Sequence, residues 1–147
     1  MRVSVIGGST VDDETYDLAV AVGNELASRG HAVVCGGRGG VMEAACRGAR
    51  EEDGETIGIL PGTDPAQANA FVTTPIATGI GNARNVLVVL NGAAVIAIDG
   101  HYGTLSELGH ALDFGKPVAG LHTHEIDGVK SVTSPLAAIS HVESAVR

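Results

Sequence analysis

The chain alternates short β-branched runs with longer stretches in which apolar residues recur at helical spacing. Residues 2–6 are a mostly apolar run closed by Gly7-Gly8, as expected of a buried strand. Residues 13–29 carry a helical stripe of Leu18, Val22 and Leu26, and Gly30 supplies a C-terminal stop. A second strand is expected over 32–35, followed by the turn Gly36-Gly37-Arg38-Gly39-Gly40 and a helix over 41–52. Residues 56–60 read as a third strand ended by Pro61-Gly62, and residues 63–69 as a polar loop. The pattern then predicts a fourth strand over 71–74, a helix over 82–90 and a strand over 93–98. Asp99-Gly100-His101-Tyr102-Gly103 leads into a helix over 104–114, a last core strand over 116–121 and a terminal helix over 135–146. Such alternation implies right-handed crossovers and a mostly parallel sheet with helices on both faces. The expectation is one Rossmann-like three-layer α/β/α domain over residues 1–147, without linker or repeat.

Composition narrows the function classes. The formal net charge is −8, and the nine Lys and Arg residues are scattered without a basic run. Neutralising a nucleic-acid backbone needs clustered cations, so no nucleic-acid partner is expected. No apolar run reaches the roughly 18–20 residues of a membrane span, and the opening residues do not read as a signal peptide. Cys35 and Cys46 match neither a disulfide framework nor a zinc spacing. They read as small buried hydrophobes and fit a reducing cytoplasm. The 21 glycines have no collagen-like period, so they are expected at turns or where backbone approaches a ligand.

Three expected strands end in glycine-rich turns: Gly7-Gly8-Ser9-Thr10, Gly36 to Gly40, and Gly100 to Thr104. In sheets of this kind ligands bind beyond the C-terminal strand ends, where strand order reverses. Free backbone N–H groups at a helix start attract anions, and glycine lets a phosphate approach them. The residues point to a small phosphorylated ligand, against the alternative of ordinary tight βα turns. A dinucleotide fingerprint is excluded, because Gly7-Gly8-Ser9-Thr10-Val11-Asp12 lacks G-x-G-x-x-G spacing and the second strand ends in Cys35-Gly36 rather than an acidic residue. A Walker A loop is also absent.

Three segments together resemble the lonely-guy (LOG) superfamily, whose members have carried a lysine decarboxylase label. They are Gly36-Gly37-Arg38-Gly39-Gly40-Val41-Met42-Glu43-Ala44-Ala45, Gly79-Ile80-Gly81-Asn82-Ala83-Arg84-Asn85, and Gly100-His101-Tyr102-Gly103-Thr104-Leu105-Ser106-Glu107. The resemblance covers nearly the whole chain and implies a LOG-like Rossmann domain. It further implies two function classes. One is a non-catalytic binder, carrier or sensor for a nucleotide or a molybdopterin-type cofactor, as in the short branch that includes molybdenum cofactor carrier proteins. The other is a hydrolase of nucleoside 5′-monophosphates that releases free base and ribose 5-phosphate, with Arg84 and Glu107 in the catalytic positions. Asp99 stands where the signature has proline and His101 where it has its second glycine, which tilts the reading toward the binder. No pyridoxal motif supports decarboxylation, and no cofactor is required by the residues themselves. Related proteins are oligomeric, which together with the apolar Val86–Leu90 stretch implies a homodimer or homotetramer.

The individual residues keep bland alternatives. Gly7, Gly8, Ser9, Gly36, Gly37, Arg38, Gly100, His101, Tyr102, Gly103 and Thr104 are the phosphate candidates. Ser9 or Thr10 could instead cap the first helix, and Arg38 could be a solvated surface residue. Thr104-Leu105-Ser106-Glu107 also reads as a capping box. Arg84 could serve a structural ion pair. No metal is expected. Asp99, His101, His122 and His124 would converge only if their two strands are neighbours, and otherwise His122-Thr123-His124 is an exposed polar loop. His110 reads as packing, and His31 and His141 as surface.

Overall fold

A computed structural model describes residues 1–146. Among the described residues, seven strands form one sheet: β1 (Arg2–Gly7), β2 (Ala32–Cys35), β3 (Thr56–Leu60), β4 (Thr74–Ala77), β5 (Ala94–Ile98), β6 (Val118–Leu121) and β7 (Val129–Ser131). Their order is β4-β3-β2-β1-β5-β6-β7, and every neighbouring pair is parallel. The helices are α1 (Asp13–Ser28), α2 (Val41–Glu51), α3 (Asn85–Leu90), α4 (Tyr102–Asp113) and α5 (Pro135–Val146). The three-layer α/β/α expectation therefore holds, with the sheet parallel throughout.

Side-chain alternation along each strand assigns the layers. Val3 and Val5 of β1 join Ala94, Ile96 and Ile98 of β5 in the core beneath α1, α2 and α5. Ile6, Val95 and Ala97 point the other way, against Val88 and Val89 of α3 and Leu108 and Ala111 of α4. Ser4 faces the same side, buried, and its hydroxyl donates to the Val88 carbonyl at 2.6 Å. A buried hydroxyl so paired avoids the cost of an unsatisfied polar group. On the opposite layer α1 and α2 cross at two glycines. A Cβ at Gly23 would land on the Ala45 carbonyl, and one at Gly48 on the Val20 carbonyl. Glycine at both positions lets the two backbones touch.

The sheet edges depart from the sequence pattern. The fourth strand lies at Thr74–Ala77 rather than over 71–74. Phe71 belongs to the turn before it, where its N–H donates to Asn69 Oδ1 at 3.0 Å and its carbonyl accepts from Thr56 Oγ1 at 2.5 Å. As an edge strand, β4 tolerates Pro75 and is mostly exposed. The other edge, β7, carries no apolar run and was not expected at all. The helix expected over 82–90 is a 3₁₀ turn over Gly81–Arg84 followed by α3. Helix α4 begins two residues earlier than expected, with His101 as its N-cap. Thr104 therefore sits inside the first turn, and the capping-box reading of Thr104 and Glu107 fails. Asp12, not Ser9 or Thr10, caps α1, accepting from the Thr15 N–H at 2.8 Å, a bond that holds the Asp12 pKa below its ordinary value.

His31 is not a free surface residue. The Met1 ammonium donates to its Nδ1 at 3.2 Å, leaving Nε2 to donate to Glu143 at 2.8 Å. Among the described residues no helix is long and apolar enough to cross a membrane.

Candidate functional site

Chain order runs from β1 outward to β4 on one side, then returns to β5 and proceeds to β7 on the other. The β1 and β5 crossovers diverge at their C-terminal ends, which opens a crevice there. A cavity of about 180 Å³ occupies it, lined from β1 and its turn by Ile6, Gly7, Gly8 and Ser9. Gly36 and Met42 close a second wall, Asn82, Arg84 and Asn85 a third, and His101, Gly103, Thr104 and Glu107 the fourth.

Glycine is obligatory at two points of this frame. A Cβ on Gly7 would meet the Ile98 carbonyl and the Val41 side chain, so the end of β1 could not lie against both β5 and α2. Gly40 has φ +65 and would collide with the Gly8 carbonyl, the group that accepts the Val41 N–H at 2.9 Å. The first two glycine turns are thereby pinned to one another. The third is shaped differently from the signature it resembles. Asp99 has φ +56, a left-handed conformation that proline, held near −65°, cannot adopt. Aspartate tolerates that region better than most residues. The replacement of proline by Asp99 thus goes with a different turn. His101 has a negative φ, −124°, so its Cβ brings no left-handed strain where the signature has glycine.

Arg84 and Glu107 are the charged groups buried in the cavity wall, 7% and 8% exposed. Arg84 turns Nη1 toward Asn85 Oδ1 and Nη2 toward the Gly36 carbonyl at 3.5 Å, and its buried Nε has no hydrogen-bond partner among the described residues. Burial lowers its pKa, and the charge of Glu107 partly opposes that shift. Glu107, reaching in from α4, has a pKa pushed up to about 7 by burial, with Arg84 pulling it back. Among the described residues the two form no direct ion pair. Each is therefore a desolvated charge incompletely compensated by protein. Natural interiors pair such groups, and an unpaired one lining a cavity is a candidate functional position. The first intrahelical bond of α4 runs from Leu105 N–H to the His101 carbonyl at 2.9 Å. The preceding amides lack such partners and sit at the positive end of the helix dipole. The arrangement is suited to holding an oxyanion between a guanidinium and a helix start.

Of the sequence candidates, Gly7, Gly8, Ser9, Gly36, Arg84, His101, Gly103, Thr104 and Glu107 come together at this cavity. Gly37, with φ +75, packs toward Leu60 and Gly58 instead. Arg38 is exposed and donates to Gln67 Oε1 at 3.1 Å and to its carbonyl at 3.3 Å. Gly100 supports the wall from behind, since a Cβ there would strike Thr104. Tyr102 is 82% exposed, its ring against that of His101.

The four metal candidates remain apart in chemistry although β5 and β6 are neighbours. Among the described residues no group of three or more His, Cys, Asp or Glu could hold a metal ion. His124 Nε2 donates to the His101 carbonyl at 3.0 Å, and His122 and His124 line a separate depression of about 600 Å³.

Asn82, Asn85 and Met42 also line the cavity and were not singled out from sequence. Asn85 flanks the signature arginine, and that adjacency was the available signal. The cysteines are buried as expected, but Cys35 and Cys46 place their thiols 3.5 Å apart just below Gly36. With Cys46 donating, the Cys35 pKa is lowered and the Cys46 pKa raised.

Comparison with known proteins places the chain. An uncharacterized protein of Archaeoglobus fulgidus is 40% identical over 149 residues, covering all of this chain and 98% of that protein. The molybdenum cofactor binding protein of Rippkaea orientalis superposes with a TM-score of 0.93 at 33% identity, over 99% of this chain and 97% of that one. The molybdenum cofactor carrier protein of Chlamydomonas reinhardtii superposes with a TM-score of 0.89 at 31% identity, over 97% and 96% of the two chains. The SLOG cluster4 family model matches residues 1–146, and the chain belongs to that family.

Proposed function

We propose that this protein binds and carries a small phosphorylated ligand, a molybdopterin-type cofactor, with the anionic end of the ligand in the cavity between β1 and β5. The observation that carries the reading is the buried Arg84 side chain, whose Nε has no partner among the described residues and which lines a glycine-walled cavity. The similarity to molybdenum cofactor binding and carrier proteins over essentially the whole chain supports the cofactor class. Size agrees with the assignment. At about 180 Å³ the cavity fits a phosphate group and falls short of the roughly 300–1,000 Å³ of a complete small-molecule pocket. The ring system of the ligand is then left at the open mouth beside Ser9, Asn82 and His101. In this role the cofactor is cargo. Arg84 supplies the cation, and Gly103 and Thr104 supply helix-start amides.

The test incubates the protein with molybdenum cofactor, separates bound from free by gel filtration and measures retained pterin by fluorescence after oxidation. Wild type retains cofactor. Arg84→Gln loses about tenfold or more in affinity, the cost of one charge-assisted hydrogen bond. Absence of retained pterin on the wild type refutes the reading.

N-glycosidic hydrolysis is a second reading, favoured by the burial of Glu107 and Arg84 in one cavity wall. Chromatographic detection of free base from a panel of nucleoside 5′-monophosphates, lost in Glu107→Gln, would establish it. Self-association is also proposed, from Leu90, Leu105 and Phe114, which are 40–49% exposed on α3 and α4 and just beyond. A solution mass of one chain at micromolar concentration would refute it.

A further inference from the structure

Glu107 is an odd neighbour for an anion. Glu107 is 8% exposed, forms no ion pair among the described residues, and lines the same small cavity as the unpartnered Arg84 Nε. An ionised carboxylate only accepts hydrogen bonds, and so does a fully deprotonated oxyanion. Two such acceptors in about 180 Å³ repel unless a hydrogen lies between them.

We propose that Glu107 sets the ligand's protonation requirement: the cavity holds a hydrogen-free dianion, such as a phosphate monoester or sulfate, only when one solvent proton is taken up onto the Glu107 carboxylate. Monohydrogen phosphate differs because it brings its own hydrogen, which it donates to the ionised carboxylate. The proton returns to solvent when the dianion leaves. The inference rests on the cavity being an oxyanion site and adds the selection rule that governs it.

The surroundings support the assignment to Glu107. Burial already holds its pKa up at about 7, so an arriving dianion completes a protonation that the protein half favours. The charged and titratable groups around it are few. Arg84 faces it from the 3₁₀ turn and favours the ionised form, and the Cys35 thiol lies at the end of β2. His101 lines the same cavity, and Asp99 sits beside Gly8, with its Oδ2 3.1 Å from where a Cβ on that glycine would lie. Arg38 acts at one remove, through Arg84. Among the described residues no other one lining the cavity carries an ionisable side chain.

The experiment is calorimetric titration of the whole protein with sulfate, methyl phosphate and inorganic phosphate, from about pH 6 to about pH 8.5, in buffers of different ionisation enthalpy. For wild type at about pH 8, sulfate and methyl phosphate are expected to take up close to one proton each. Their affinity should fall by about tenfold per pH unit above neutrality. Inorganic phosphate should take up almost none. Glu107→Gln should abolish the uptake and hold sulfate equally at both ends of the range, and His101→Gln should retain the uptake. Binding of all three without proton uptake overturns the role of Glu107 and leaves the oxyanion site standing. Uptake that persists in Glu107→Gln also overturns it, by placing the proton elsewhere. Failure of wild type to bind any of the three at any pH overturns the oxyanion site and this inference together.

Discussion

Replacing Glu107 with glutamine should stabilise the folded protein at about pH 8 and leave it nearly unchanged at about pH 4. The magnitude follows from its burial. An unfolded glutamate loses its proton around 4.5, whereas the buried Glu107 keeps it to about 7. Between those values the native chain binds more protons than the unfolded chain, so stability falls as pH rises through this window. Above about 7 the full cost is present, about 3 kcal/mol at roughly 1.4 kcal/mol per pH unit. Glutamine matches the shape of the protonated acid and never ionises, so it avoids that cost. For a chain of this size the gain corresponds to about 6–12 °C in Tm. The assay is urea or thermal unfolding of both proteins across the pH range, reading their difference so that the other carboxylates cancel. A difference independent of pH, or a glutamine variant less stable at about pH 8, would refute the argument. Either would mean that the ionised Glu107 is well compensated in the fold.

Three further outcomes test other parts of the structure. Gly23→Ala or Gly48→Ala should each destabilise the α1–α2 crossing by about 1–3 kcal/mol or more, read as a lower urea midpoint, because the new methyl meets backbone that cannot yield. Asp99→Gly should be neutral or stabilising by up to about 1 kcal/mol, since glycine adopts φ +56 freely, whereas Asp99→Pro should cost about 3 kcal/mol or more in thermal unfolding. Ser4→Ala should cost about 1 kcal/mol in the same assay, the net worth of its buried bond to Val88.

How much was legible in the sequence differs between the centre of the sheet and its edges. The strands β1, β2, β3, β5 and β6 were readable because a strand buried on both faces is written as a run of apolar residues. The edges lack that constraint. Thr74–Ala77 carries a proline and exposed side chains, and Val129–Ser131 carries a lysine, so neither stands out from loop. Helix starts were off where capping residues compete. Thr104 has the right chemistry for an N-cap, but the chain turns into helix at His101. Asp12, one residue before the apolar spacing that predicts α1, does the equivalent task there.

The layers and the glycine turns at strand ends were readable along the chain, because each depends on local backbone conformation and side-chain type. Which turns meet followed from packing. Strand order brings the turn after β1 against the turn after β5, and separates Arg38 and Gly37 from a cavity they adjoin in sequence. It buries Arg84 and Glu107, 23 positions apart, in one wall, where desolvation rather than composition shifts their pKa values. It also seats Cys46 of α2 against Cys35 of β2. Spacing along a chain does not specify which strands become neighbours. Burial and charge compensation are properties of the packed arrangement, and exist only once it forms.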